Sequence, residues 1–403
     1  MDSLPFLILG YGLGTALLTW FLVGQLLRLA PRIGLLDRPN ERSSHTRVTP
    51  RGGGIGFVVA IALAIGAYAL VEDRSQMMDG GRWMTEDERG NREIRNGTVG
   101  QVADLAPELA NANVAEGDPA MSPTWPTGIA AKQLFVALAA ALFIAAISLR
   151  DDFKSLGAGL RFACHFAAAG AVIGAVGAFP GIDLPFLGQW TVPSGLGIAL
   201  TLVWIVGLTN VYNFMDGIDG IAGVQGVAAG LGWLVAGIAF AAPTTAMLGA
   251  VLAAGCAGFL FHNWSPAKIF MGDVGSAFLG FLFAVVPLFA VREVPEAVGV
   301  WPVFGALVVW PFVGDGFLTF VRRLRKGEKV WEAHRSHLYQ RLTQTGWKHA
   351  QVSRLYAGWA GLTVSVAWLW ATDFPGAGWL VLVVPLGSLA ALFAFVSRRE
   401  RAE

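Results

Sequence analysis

Long apolar runs alternate with short polar segments along the whole chain. Eleven runs lie near 4–29, 54–71, 133–149, 162–179, 193–209, 221–242, 245–261, 277–291, 300–320, 355–371 and 378–396. Their typical length, about 17 to 24 residues, is what a helix needs to cross a bilayer. Pro and Gly interrupt two of them, 193–209 and 300–320, where a continuous helix is least expected. The pattern predicts an all-α integral membrane protein of about 11 transmembrane helices, forming one polytopic domain over 1–403. The opening "MDSLPFLILG" has no basic stretch and no small-residue cleavage site before further spans, so it reads as a retained helix.

Composition agrees with the pattern. The chain is 55% hydrophobic and 14% charged, with a mean hydropathy of +0.56, whereas soluble domains carry about 25% charged residues. Cys164 and Cys256 both fall inside apolar runs and read as packing residues, which excludes a disulfide framework. Net charge is +1, and no nucleic-acid partner is expected. The distribution of charge is more informative. With the N-terminus outside, the inside loops hold 22 of the 29 Lys and Arg. The positive-inside rule then puts the C-terminus in the cytoplasm. Residues 72–132 carry eleven Asp and Glu without sustained hydrophobic periodicity and read as a polar extracytoplasmic loop between spans 2 and 3.

With that topology the unusual polar clusters share the cytoplasmic side. They are "DRPNERSSHTRVTPRGGGIGF" (37–57), "RDDFKS" (150–155), "NVYNFMDGIDGIAG" (210–223), "HNWSPAKIFMGDVGSAFLG" (262–280) and "WEAHRSHLYQRL" (331–342), the last within a cytoplasmic histidine loop over 321–352. A carboxylate at membrane depth costs about 2.5–3.5 kcal/mol even on lenient scales. Asp151, Asp152, Asp216, Asp219 and Asp273 all sit at span ends. Helix capping and turn formation account for any one of them but poorly for five converging on one face. Asn213, Asp216 and Asp219 follow i, i+3, i+6 spacing, which on a helix gives one face. Hard oxygen donors of this kind suit Mg²⁺, with Mn²⁺ as the alternative ion. On the basic side, Arg42, His45, Arg47 and Arg51 precede glycines whose amides can face a phosphate. His334 and His337, with Arg335 and Arg341, read as anion ligands. Carboxylates for a metal beside groups for phosphate describe a phosphoryl-transfer site at a membrane surface, with one lipid and one soluble reactant.

These motifs, in this order, resemble the polyprenyl-phosphate N-acetylhexosamine-1-phosphate transferase family (glycosyltransferase family 4). "RSSHTRVTPRGGGIGF", "RDDFKS", "NVYNFMDGIDGIAG", "PAKIFMGDVGSAFLG" and "HRSHLYQRL" look like its successive cytoplasmic motifs. The resemblance implies Mg²⁺ on Asp273 and Asn213. It implies a general base among Asp151 and Asp152, and supporting roles for Asp216 and Asp219. Lys154, His334, Arg335 and His337 would contact a diphosphate or nucleotide, with His45, Arg51 and Asn210 as further substrate-binding residues. The implied reaction moves a sugar-1-phosphate from a UDP-N-acetylated sugar to undecaprenyl phosphate and releases UMP. The implied place is the bacterial inner membrane, among membrane lipids, with the site facing the cytoplasm and the chain as a homodimer. "HRSH" in place of a triple-His run, with Phe214 and Met215 in "YNFMDG", resembles the O-antigen and surface-polysaccharide branch more than the phospho-MurNAc-pentapeptide branch. The competing class is a cation-coupled transporter or lipid flippase, whose sites lie near the midplane.

Overall fold

The structure is a computed structural model that describes residues 4–37, 39, 48–80, 131–154, 156–329 and 334–402; in segment 48–80 side chains are described as far as Asp73. Described residues form 13 helices. These are α1 Leu4–Leu29, α2 Gly53–Gly80, α3 Ala131–Phe153, α4 Ala158–Val176, α5 Ser194–Met215, α6 Ile221–Ala239, α7 Pro243–Asn263, α8 Asp273–Glu293, α9 Val300–Val308, α10 Trp310–Arg325, α11 Leu338–Gln344, α12 His349–Ala371 and α13 Ala377–Ala402. Two small antiparallel pairs accompany them, β1 (Leu36–Asp37) with β2 (Thr49–Pro50) and β3 (Gly181–Leu184) with β4 (Gly188–Thr191).

Every apolar run is helical, which makes the chain an all-α multi-pass membrane protein. Among the described residues, nine helices are long and apolar enough to cross a membrane. The run at 193–209 is continuous within α5, but the run at 300–320 is broken: α9 and α10 meet at 80°. Pro311, at the start of α10, explains the break, because its ring clashes with a carbonyl one turn back and it has no N–H to donate. The remaining run lies in α12, 23 residues long but less apolar owing to Trp359, Trp368 and Trp370. One boundary needs correction. The segment read as a loop from residue 72 begins as a continuation of α2 to Gly80, and Ala131 and Lys132 already belong to α3. The rest of that segment lies outside the described residues.

Helix α8 is the axis of the bundle, its apolar span wholly enclosed by neighbours that include α2, α3, α5, α7 and α9. Phe278, Phe281, Phe283 and Phe289 fill its surroundings, and the Trp204 indole donates to the Ala284 carbonyl at 2.9 Å. Lipid offers no hydrophobic gain for helix pairing, so association rests on close packing of small residues. The α6–α7 seam shows this, with Gly230 against Ala253 and Gly237 against Ala246.

Contacts at the two ends of the bundle define two faces. At one, the Glu293 carboxylate accepts the Thr244 and Thr245 amides at the start of α7, at 2.7 and 2.9 Å. There Asp183 N donates to Gly299 O, and Phe186 packs on Trp379. At the other face the ends of α3, α5, α7 and α10 meet the starts of α2, α8 and α12. The described parts of the polar motifs gather at this second face.

Candidate active site

The segment leading into α2 is laid against the chain entering α8. Pro50 O accepts Phe270 N at 2.9 Å, Gly53 N donates to Phe270 O at 3.0 Å, and Gly54 N donates to Met271 O at 2.9 Å. A β-carbon on Gly54 would lie 2.5 Å from Met271 O and 2.6 Å from Gly275 N, so only glycine permits this approach. The expectation that these glycine amides face a phosphate is therefore corrected: the Gly53 and Gly54 amides are spent on holding the 270–275 backbone. That backbone carries Asp273, the first residue of α8.

Three carboxylates converge there. Asp152 comes from the last turn of α3, Asp216 from the residue after α5, and Asp273 from the start of α8. The charge of Asp273 bears on both Asp152 and Asp216. Gly272, held at φ +72, has its Cα hydrogen facing Asp152 Oδ2, where a β-carbon would stand 3.2 Å away. Burial first, then the charges of Asp273 and Asp219, pushes the Asp216 carboxyl up to about 7. Arg51 bridges from the β2 side: its Nη2 donates to the Asp152 carbonyl at 2.6 Å, and Nη1 is 3.9 Å from Asp152 Oδ1.

Asn213, Asp216 and Asp219 do not share a helix face, contrary to the spacing argument. Helix α5 ends at Met215, and Asp216 leaves it with φ −84 and ψ 60. Gly220 at φ +78 closes the turn, its amide donating to Asn263 Oδ1 at 2.9 Å. Asp216 points to the acidic cluster, while Asp219 faces the other way. Its Oδ2 accepts Ala267 N at 3.1 Å and its Oδ1 lies 3.2 Å from His349 Nδ1. Burial raises the Asp219 carboxyl, but His349 and the Ala267 amide outweigh it and hold the group below the usual carboxylate range. Asp219 thus braces the turn, the 264–272 loop and α12. Asn213 also braces: it is hydrogen-bonded to Asp273, and its Oδ1 accepts the Ser276 hydroxyl at 2.6 Å. Through these contacts it holds Asp273 in place. Asn210 Nδ2 donates to Val206 O at 2.7 Å and stands 3.0 Å from His165 Nδ1, one turn inside the membrane end of the cluster.

The two members of the aspartate pair differ in their surroundings. Asp151 Oδ2 takes Arg161 Nη1 at 2.8 Å and Oδ1 takes the Leu156 amide at 2.5 Å, so both oxygens are occupied. Asp152 is the member of the pair that faces Asp273. Lys154 is exposed just beyond α3. His45, with Arg42 and Arg47, lies outside the described residues.

The histidine loop stands beside the cluster. Tyr339 OH donates to Phe214 O at 3.1 Å and packs on Gly217, which fixes the start of α11 against the Asp216 turn. The rings of His334 and His337 pack tilted by 33° with centroids 4.9 Å apart. Burial, then His337 and Arg323, lowers the His334 pKa to about 4, so its ring is neutral; its Nδ1 is 2.9 Å from Ser336 Oγ. His337 is buried, and its Nε2 has no hydrogen-bond partner among the described residues. Arg335 is half-buried, its carbonyl accepting Gln344 Nε2 at 2.9 Å. Both imidazoles line the mouth of a cavity of about 540 Å³ whose walls are otherwise mostly apolar, from α5 and α10. Val203, Phe317 and Phe320, on its rim, are exposed on the outside of the bundle.

A divalent cation fits this donor set. No three His, Cys, Asp or Glu side chains among the described residues close into a ready-made cage. Mg²⁺ does not require one, since it keeps waters and takes one or two carboxylates along with substrate phosphates. Oxygen donors without thiolate suit Mg²⁺ better than zinc. The mutual repulsion of Asp152, Asp216 and Asp273 is the condition that a bound cation would relieve.

Polar groups contributed by many helices to one end of an apolar bundle define a membrane-embedded enzyme working at the bilayer surface. Residues 134–291 match the model of Glycosyl transferase family 4, the family that the sequence motifs resemble. It is 29% identical over 378 residues to the decaprenyl-phosphate N-acetylglucosaminephosphotransferase of Mycobacterium tuberculosis, covering 87% of this chain and 79% of that protein. It is 25% identical to a probable undecaprenyl-phosphate N-acetylglucosaminyl 1-phosphate transferase of Bacillus subtilis, covering 80% and 73%. Similarity to the phospho-N-acetylmuramoyl-pentapeptide-transferase of Heliobacterium modesticaldum is 33% but covers only 45% of this chain and 54% of that protein.

Sequence reading missed His349, Asn263, Ser276, His165 and Arg161. Ser276 and Asn263 lay inside a quoted motif, but nothing local marked their partners, and His349 stands 130 residues from Asp219.

Proposed function

We propose that this chain transfers a sugar-1-phosphate from a UDP-N-acetylated sugar to a polyprenyl phosphate, undecaprenyl phosphate in the first instance. The reaction takes place at the cytoplasmic face of a bacterial inner membrane and feeds lipid-linked surface glycan synthesis. The observation that carries this reading is the meeting of a carboxylate cluster, two imidazoles and an apolar cavity open to the lipid side. Relatives named for this reaction, aligned over most of the chain, support it. The arrangement also disfavours a transporter, because the carboxylates sit at the helix ends of one face and not at the midplane.

The acceptor tail occupies the cavity between α5 and α10, and its phosphate reaches the mouth near His334 and His337. Asp273, Asp152 and Asp216 would hold Mg²⁺. When bound, the ion neutralises the donor diphosphate and the charge that builds up on the phosphoryl oxygens. Asn213 and Ser276 orient Asp273, and Arg51 holds Asp152. An oxygen of the lipid phosphate forms a bond to the sugar-side phosphorus, the bond from that phosphorus to the bridging oxygen breaks, and UMP leaves. A phosphate monoester has a second pKa of about 6, so the nucleophile is largely ionised at neutral pH without a base. Asp151, tied to Arg161, is then not required to remove a proton.

Incubating the purified protein with undecaprenyl phosphate, Mg²⁺ and a panel of UDP-sugars, with mass identification of the lipid product, tests the reading. A lipid diphosphate-sugar and equimolar UMP are expected from at least one donor. Absence of both with every donor overturns it.

Two further outcomes follow. A β-carbon on Gly207, which lines the cavity, meets nothing within 4 Å, so Gly207→Leu fills the space without a clash. The KM for the lipid acceptor rises about tenfold, roughly the worth of a lost apolar contact, while the KM for the UDP-sugar is unchanged. Because the Asp216 carboxyl is pushed up to about 7, it is protonated below that pH and must ionise to accept a cation. Mg²⁺ affinity measured by calorimetry therefore rises between about pH 6 and about pH 8. A flat profile contradicts the assignment of Asp216.

A further inference from the structure

Asp315 lies in α10, is fully buried, and belongs to none of the motifs described above. Four hydrogen-bond donors converge on its carboxylate, with the His337 ring beside them. Oδ1 accepts Leu338 N at 2.9 Å and Thr319 Oγ1 at 3.1 Å; Oδ2 accepts Tyr356 OH at 2.6 Å and Tyr339 N at 3.3 Å. His337 Nδ1 is 3.4 Å from Oδ1. These groups come from α10 itself, the histidine loop, the first turn of α11, and α12. A carboxylate buried at a bundle end costs several kcal/mol unless it is compensated this fully, so a hydrophobic side chain would be the cheaper filler if only packing mattered.

What the carboxylate holds is specific. Its amide contacts pin the N-terminal turn of α11, where two N–H groups would otherwise be orphaned. That turn places Tyr339 for its bond to the Phe214 carbonyl, two residues before Asp216. Asp315 Oδ1 lies 3.4 Å from Nδ1 of His337; neither ring nitrogen has a hydrogen bond among the described residues, and the His337 ring lines the α5–α10 cavity. The neighbouring residues Gly316 and Phe317 line that same cavity.

We propose that Asp315 is the positioning residue of the histidine loop, fixing the His337 ring and the start of α11 against the acidic cluster. It touches no substrate and acts through His337 and Tyr339. The inference rests on the sugar-phosphate transfer proposed above, in which His337 meets a phosphate group.

The test is a double-mutant cycle on the full-length protein, with both substrates varied. Asp315→Asn keeps the shape but turns an amide N–H toward groups that are themselves donors. It lowers kcat about 10- to 100-fold, as a lost orienting contact does. The KM for polyprenyl phosphate, whose phosphate is placed at His337, rises while the KM for UDP-sugar stays within twofold of wild type. His337→Gln alone gives a similar loss, and the double variant loses no more than the worse single one, because both remove the same interaction. Tyr356→Phe, which deletes one donor and keeps the ring, gives a smaller change of the same kind and stands in if Asp315→Asn does not fold. Multiplying losses, parallel rises in both KM values, or wild-type kinetics in Asp315→Asn and Tyr356→Phe would each overturn the proposal. An inactive wild type would instead sink the transfer reading itself.

Discussion

Asp273→Asn eliminates UMP formation, a fall of at least about 1000-fold, while the metal-free protein melts no lower than wild type. The two halves of this result have one cause. Asp273 stands where the charges of Asp152 and Asp216 meet, and without a cation the cluster repels itself. An asparagine keeps an oxygen for Asn213 and removes one of the repelling charges, so folding does not suffer. The same change removes the central hard-oxygen ligand, and Mg²⁺ no longer raises the melting temperature. A stability gain that accompanies loss of activity is the usual mark of a strained functional site. Thermal melts with and without Mg²⁺, beside a UMP assay, check it. A large drop in metal-free stability would mean that Asp273 serves the fold.

Gly54→Ala has the second large effect, and through the backbone. The new methyl would stand 2.5 Å from Met271 O and 2.6 Å from Gly275 N, and neither is the end of a flexible side chain. Forcing extra volume into such a contact costs about 1–3 kcal/mol. The 270–275 backbone must retreat, carrying Asp273 away from Asp152, and a displacement of about 1 Å in a catalytic group costs about 100-fold in rate. Gly14→Ala, in α1 where a β-carbon meets nothing within 4 Å, is the matched control and leaves both stability and turnover unchanged. Equal behaviour of the two variants would contradict the packing of α2 against the entry to α8.

The bundle was legible in the sequence because crossing a membrane requires uninterrupted apolar length, a signal written locally in each run. The break between α9 and α10 was legible as Pro311 within an apolar run, although its angle was not. The acidic site was legible in its members, since Asp152, Asp216 and Asp273 are each anomalous at a span end. What each does was less so. The spacing of Asn213, Asp216 and Asp219 implied a shared helical face, but Gly217 and Gly220 allow a turn that sends Asp219 to His349. Asp151 and Asp152 are neighbours of one type, and only the position of Arg161 separates an engaged carboxylate from one facing the cluster. The glycines of "RGGG" looked like a phosphate cradle because glycine permits both close ligand approach and close backbone approach. Choosing between them needed the partner strand, more than two hundred residues away. Asp315 escaped notice because a single Asp in a helix signals little until its four donors and the neighbouring His337 ring are seen.

The account depends on one divalent cation site assembled from α3, the turn after α5, and the start of α8. Electron paramagnetic resonance of Mn²⁺ added to the purified protein measures this directly. One saturable site per chain is predicted, displaced by Mg²⁺, lost in Asp273→Asn and intact in Gly14→Ala. No saturable Mn²⁺ site in wild type, or one that survives in Asp273→Asn, would contradict it.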